Sequence, residues 1–100
     1  MKKAIDTYPT DPTFFLQLGI LKYREGNFGE AIDFLSEAVR LVPDYADARY
    51  FLGFSYYNQG DVRNALEQFE AIALVNADNI EIQKIIINLK AGRPLLSGGK

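Results

Sequence analysis

Displaced by 34 positions, this chain aligns with itself. Leu18-Gly19 falls on Leu52-Gly53, Gly26 on Gly60, Asn27 on Asp61, Ala31 on Ala65, Leu35 on Phe69 and Leu41 on Val75. A period of that length marks stacked supersecondary units, none of which can bury its apolar face alone. Shifting the other way brings Ala38 onto Ala4 and Pro43 onto Pro9, so residues 1–10 read as the closing turns of an earlier unit's helix. The chain is therefore expected to be a row of like pieces, not a globule with one central core.

Within each copy the punctuation predicts two helices. Asp11-Pro12 is an N-cap followed by proline at the first helical position, where its missing N–H is not needed. Phe15, Leu18, Gly19 and Leu21 recur at helical spacing until Gly26, a C-terminal stop. Asn27 with Glu30 has the spacing of a capping box and opens a second helix. Its apolar face is Phe28, Ile32, Leu35, Ala38, Val39 and Leu41, and Pro43 ends it. The second copy predicts helices from about Ala46 to Gln59 and from Val62 to Val75, with Gly60-Asp61 as the turn. A fifth helix is expected to begin after Asp78 or Asn79 and to end near Gly92, ahead of Pro94. The tail, with Ser97-Gly98-Gly99, has little to pack and is expected to fray.

Gly19 and Gly53 fall in mid-helix, where glycine costs about 1 kcal/mol relative to alanine. Their recurrence in phase argues for close helix contact, with Ala31, Ala38 and Ala65 on the facing helices. Phe15, Leu18, Leu35, Leu52 and Phe69 are then expected to fill the space between neighbouring pairs.

Composition matters chiefly for what it removes. There is no histidine and no cysteine, which takes away the usual general base, the usual triad partner and the thiolate and imidazole metal ligands. Eleven basic and 13 acidic residues are interspersed, with no basic stripe for nucleic acid. Ser36, Ser55 and Ser97 lie in no nucleophile-elbow context, and Gly98-Gly99 is no phosphate loop. Glu25, Asp33, Glu37, Asp44 and Asp47 are scattered without a partner base, so caps and solvated faces explain them. Asp6, Asp11 and Asp44 make no calcium loop. No catalysis, no cofactor and no metal are expected. No apolar run approaches the roughly 20 residues of a membrane span, so the expectation is a soluble, cytoplasmic domain without direct membrane insertion. A soluble piece of a larger, membrane-tethered protein is the alternative that stays open.

The recurring set resembles the tetratricopeptide repeat. In the first copy the matching residues are Phe15, Leu18, Gly19, Ala31, Leu35, Ala38 and Pro43, and in the second Leu52, Gly53, Tyr56, Ala65 and Phe69. Lys22 stands where an aromatic is usual, with Tyr23 beside it able to lean in. Arg49 replaces a large apolar residue, and Ile72 and Ala77 replace Ala and Pro. The resemblance covers roughly residues 4 to 91 and implies an all-α fold, antiparallel helix–turn–helix repeats stacked into a short right-handed superhelix (an α-solenoid). The expected organisation is one domain over 1–92: a remnant helix at 1–10, repeats at 12–45 and 46–79, a capping helix at 80–92, and a tail at 93–100.

Similar proteins are generally not enzymes and hold peptides or other proteins on a concave face lined by the first helix of each pair. Carried over, that face falls on Thr13, Leu16, Ile20, Tyr23 and Arg24 in the first copy. In the second it falls on Asp47, Tyr50, Phe54, Tyr57 and Asn58, a stripe distinct from the core positions. The resulting groove is apolar and aromatic, suited to a protein or peptide partner. The alternative is that flanking chain or a second copy covers it. Some relatives grip a C-terminal carboxylate with Lys and Asn pairs. Only Lys84 and Asn88 match, so no such clamp is expected. The fifth helix carries Ile80, Ile82, Ile85, Ile86, Ile87 and Leu89 around most of its circumference, with Ile87 in the glycine slot. Either it packs against more protein in a longer chain, or Ile80 and Ile87 make a homodimer contact. The readings are thus a partner-binding adaptor and, alternatively, a structural module that self-assembles.

Overall fold

A computed structural model describes residues 11–93. The expected remnant helix at 1–10 and the tail from Pro94 onward lie outside the described residues. Five helices follow one another: α1 Pro12–Arg24, α2 Phe28–Leu41, α3 Ala46–Asn58, α4 Val62–Val75 and α5 Ile80–Lys90. Each starts where its punctuation predicts. Asp11 accepts a hydrogen bond from the Thr13 amide (3.0 Å), Asp61 from Asn64 (3.2 Å) and Asn79 from Ile82 (3.2 Å).

Asn27 is the exception. Its side chain makes no bond to the backbone of α2, and donates instead to the Glu30 carboxylate at 3.3 Å. The expected capping box is replaced by a side-chain pair. Lys22 joins this corner from α1, with Nζ 3.4 Å from Glu30 and 3.5 Å from Glu25. Those carboxylates, Glu30 first, raise the Lys22 pKa above its ordinary value. The unexpected lysine thus ties α1 to the start of α2.

The glycines in phase sit against side chains of the facing helix. A Cβ added at Gly19 would lie 2.5 Å from Leu35 Cδ2, and one at Gly53 would lie 2.6 Å from Phe69 Cζ. Leu35 and Phe69 are completely buried, as are Ala31, Ala38 and Ala65. The absent side chains let each antiparallel pair close. Burying a leucine or phenylalanine side chain contributes about 1.5–3 kcal/mol, more than the helix propensity each glycine forfeits.

Two cores lie in tandem. The first joins α1, α2 and α3 through Phe15, Leu16, Leu35, Ala48 and Leu52. The second joins α3, α4 and α5 through Phe54, Phe69, Ile72, Ile82, Ile85 and Leu89, and Tyr23 and Tyr56 pack against both. Ile72, standing where the repeat pattern has alanine, fills this second core at 3% exposure. Pro43, expected in the packing, is exposed. It acts through its carbonyl, which accepts from Arg49 Nε at 2.7 Å, while Arg49 NH1 donates to Gln68 Oε1 at 2.8 Å. Arg49 therefore pins the α2–α3 turn to α4, which is why it occupies an apolar position.

Backbones of α1 and α3 approach within 8 Å, whereas those of α2 and α4 do not. Helix α5 departs from the pattern in two ways. It packs on α4 but stays more than 8 Å from α3, Cα to Cα. Its closing glycine, Gly92 (φ 76°), comes two residues early in the 34-residue phase of Gly26 and Gly60, since α5 has 11 residues against 13 for α1 and α3. Two residues are about 200° of helical turn. The turn that closes α5 therefore falls at a different point of the helical phase from those closing α1 and α3.

A candidate partner-binding face

The residues expected to line a groove do lie on α1 and α3, but they divide by burial. Ile20, Tyr23, Tyr50 and Tyr57 are half-buried, and Thr13, Arg24, Asp47 and Asn58 are exposed. Leu16 and Phe54, each 9% exposed, belong to the two cores. The expected separation of core stripe from surface stripe therefore fails at these two residues. Phe54 follows Gly53, where the helix has no side chain, and Phe69 crossing there stacks edge-on against Phe54 (5.4 Å, 80°). A ring so placed serves as floor, not as an open contact.

Above that floor runs a chain of aromatic rings. Tyr23 of α1 meets Phe51 at 5.6 Å and Phe54 at 6.4 Å, and Tyr50 meets Phe54 at 4.8 Å, all edge-on or tilted. Such pairs add about 0.5–1.5 kcal/mol each beyond the area they bury. Tyr23 also meets Phe28 at 5.6 Å. These rings hold one another in place, and a surface ordered by its own contacts lowers the entropic cost of binding on it. Asn58 turns its Nδ2 back to the Phe54 carbonyl at 2.8 Å.

The hydroxyl of Tyr50 donates to Glu81 Oε2 at 3.0 Å and so spans from α3 to α5. Burial, and then the carboxylate that the neutral phenol serves, push the Tyr50 pKa up to about 12. Where the two helices stand apart there is a cavity of about 280 Å³. Asp47, Asn76, Asn79 and Glu81 supply its polar rim. The sequence reading took in Asp47 and Tyr50 here and missed Glu81 and Asn76. Only the unexpected spacing of α3 and α5 brings these into one place. Ile80 and Ile87, at 62% and 57% exposure, lie seven positions apart on an open stripe of α5, while Ile82, Ile85 and Leu89 turn inward. Lys84 is exposed on the same helix.

A repeated pair of antiparallel helices, closed by in-phase glycines and presenting one ordered face of its first helices, defines an α-helical repeat scaffold. The family model of the tetratricopeptide repeat matches residues 22–89, and the chain belongs to that family. No curated protein matches the chain. Tetratricopeptide repeats generally mediate protein–protein interactions, and the family is typically a non-catalytic scaffold. Among the described residues no helix is long and apolar enough to cross a membrane.

Proposed function

We propose that the protein is an adaptor that captures a peptide segment of a partner protein on the α1/α3 face. Ile20, Tyr23, Tyr50 and Tyr57 make the contact, and Leu16 and Phe54 support them from beneath. The observation that carries this is the ring chain from Tyr23 of α1 through Phe54 to Tyr50 of α3, pre-set by contacts of 4.8–6.4 Å. Tyrosines so placed offer apolar area with a polar handle at small entropic cost. The ligand is held by apolar contact with no carboxylate clamp, so its C-terminus is not a determinant.

The test is a display selection from a random peptide library, followed by affinity measurement on wild type, Tyr57→Ala and Ile20→Ala. Each substitution is expected to weaken binding about tenfold, which corresponds to about 1.4 kcal/mol. Amidating the peptide C-terminus is expected to leave affinity unchanged. Selected peptides that bind both variants as well as wild type overturn the reading.

A second reading, self-association through α5, has its own support in the open Ile80–Ile87 stripe. Isoleucine in the glycine slot keeps a facing helix from the close approach made at Gly19 and Gly53. Under this reading, wild type sediments as a concentration-dependent dimer and Ile87→Glu as a monomer. Identical sedimentation of the two removes it.

A further inference from the structure

Helix α5 approaches α4 and no other described helix within 8 Å, Cα to Cα, and its outer side is open. Ile82, Ile85 and Leu89 turn inward, while Ile80 and Ile87 stand out at 62% and 57% exposure. Lys84 lies between them on the same stripe, exposed and without a hydrogen-bond or ion-pair partner among the described residues. In the 34-residue phase Ile80 and Ile87 correspond to Ala46 and Gly53 of α3. At Gly53, α4 comes close enough for Phe69 to fill the site of the missing side chain. Isoleucine at that place on α5 keeps a facing helix at side-chain distance. The stripe is thus shaped for a seam of interlocking side chains, not for another tightly closed pair of the stack.

The charges along α5 select what faces it. Let a second copy of α5 run antiparallel, with Ile80 level with Ile87 of the second copy and Ile87 level with its Ile80. Lys84 then stands level with Gln83 of the second copy and about 3 Å along the axis from its Glu81, on the same flank of the seam. Glu81 has Oε2 engaged by the Tyr50 hydroxyl, and its other oxygen can accept from that lysine. Two-fold symmetry makes the contact twice. A parallel pair would instead set Lys84 across from Lys84 at one level, which is repulsive. We infer that α5 pairs antiparallel with α5 of a second copy, Ile80 and Ile87 forming the seam and two Glu81–Lys84 pairs fixing its direction. The inference rests on the self-association reading given above and supplies its geometry. The seam is short, so the pair is weak and depends on concentration.

The chain has no cysteine, so single introduced cysteines report the pairing directly. Ile80→Cys and isotope-labelled Ile87→Cys proteins, both altered at exposed positions, are mixed in a glutathione redox buffer, and the disulfide-linked species are distinguished by mass. The mixed disulfide is expected in large excess over the like pairs, whereas random collision yields only about twice as much of it as of either. Lys84→Glu is expected to raise the dissociation constant in sedimentation about tenfold, because two attractive contacts become repulsive. A wild type that dimerises, with like disulfides as abundant as the mixed one or with Lys84→Glu pairing as well, overturns this inference and leaves self-association standing. A wild type that sediments as a monomer at every concentration overturns both.

Discussion

Replacing Gly53 by alanine tests the packing on which the rest is built. An alanine Cβ would lie 2.6 Å from Phe69 Cζ and 2.7 Å from Cε2, whereas ordinary contacts begin near 3.4 Å. The α3–α4 pair must therefore yield by most of an ångström. Phe69 has little freedom to move, being fully buried and in edge-on contact with both Phe54 and Tyr50. Overpacking of this kind costs about 1–3 kcal/mol, and the helix propensity gained by removing glycine returns about 1 kcal/mol. With Phe69 unable to move aside the upper part of that range applies, about 2–3 kcal/mol, so the net expectation is a loss of about 1–2 kcal/mol, a fall of roughly 5–15 °C in melting temperature for a domain this size. The assay is thermal unfolding followed by circular dichroism at 222 nm. Gly29→Ala is the control: it also lies within a helix, but its added Cβ would meet only Gln59 Nε2 at an ordinary 3.5 Å. That variant is expected to be as stable as wild type or more so. A second variant, Gly53→Ala/Phe69→Leu, is expected to lose less than the sum of its single changes. A Gly53→Ala protein as stable as wild type would refute the claim that this glycine exists for close approach.

Other perturbations follow from single contacts. Arg49→Met removes the bonds to the Pro43 carbonyl and to Gln68, which is 9% exposed, and is expected to cost about 1–3 kcal/mol in chemical denaturation. Asp61 has its pKa lowered by its side-chain bond with Asn64 and by capping the Asn64 amide. A depressed folded-state pKa stabilises above the unfolded value, near 3.8, and that contribution fades as pH falls through the folded value. Asp61→Ala is therefore expected to melt below wild type at pH 7 and together with it at strongly acid pH. Tyr50, with its pKa pushed up to about 12, is expected to ionise well above the ordinary phenol range in an ultraviolet titration, and Glu81→Gln to bring that step to lower pH. Because the folded value is raised, this stabilisation is complete below pH 10 and disappears as pH rises through about 12.

What could be read from the chain alone was what is local or periodic. Asp11, Asp61 and Asn79 cap from within a few residues, and Gly26 and Gly60 take positive φ at the turns, so the helix limits fall within a residue or two of expectation. That Gly19 and Gly53 mark close helix contact was legible for the same reason, but their partners were not: Leu35 and Phe69, expected between neighbouring pairs, are the side chains that fill the glycine sites. Where contacts span units, the pattern is silent. Asn27 and Asp61 occupy one slot and each pairs with the side chain three residues on, yet only Asp61 also caps its helix. The role of Arg49 depends on Gln68, 19 residues on, and that of Tyr50 on Glu81, 31 residues on. Leu16 and Phe54 belong to a surface stripe by spacing but enter the cores, since neighbouring helices reach farther round them than a 100° step implies. The parting of α3 and α5 has no signature in the repeat, whose connecting turns are of equal length.

The most direct measurement of the proposed function is residue-resolved. Adding a display-selected peptide to the isotope-labelled protein and following its amide resonances is expected to move signals along α1, α3 and the start of α5, including Ile20, Tyr23, Asp47, Tyr50 and Tyr57, with α2 and α4 little changed. Shifts confined to α2 and α4, or to the Ile80–Ile87 stripe, would contradict it.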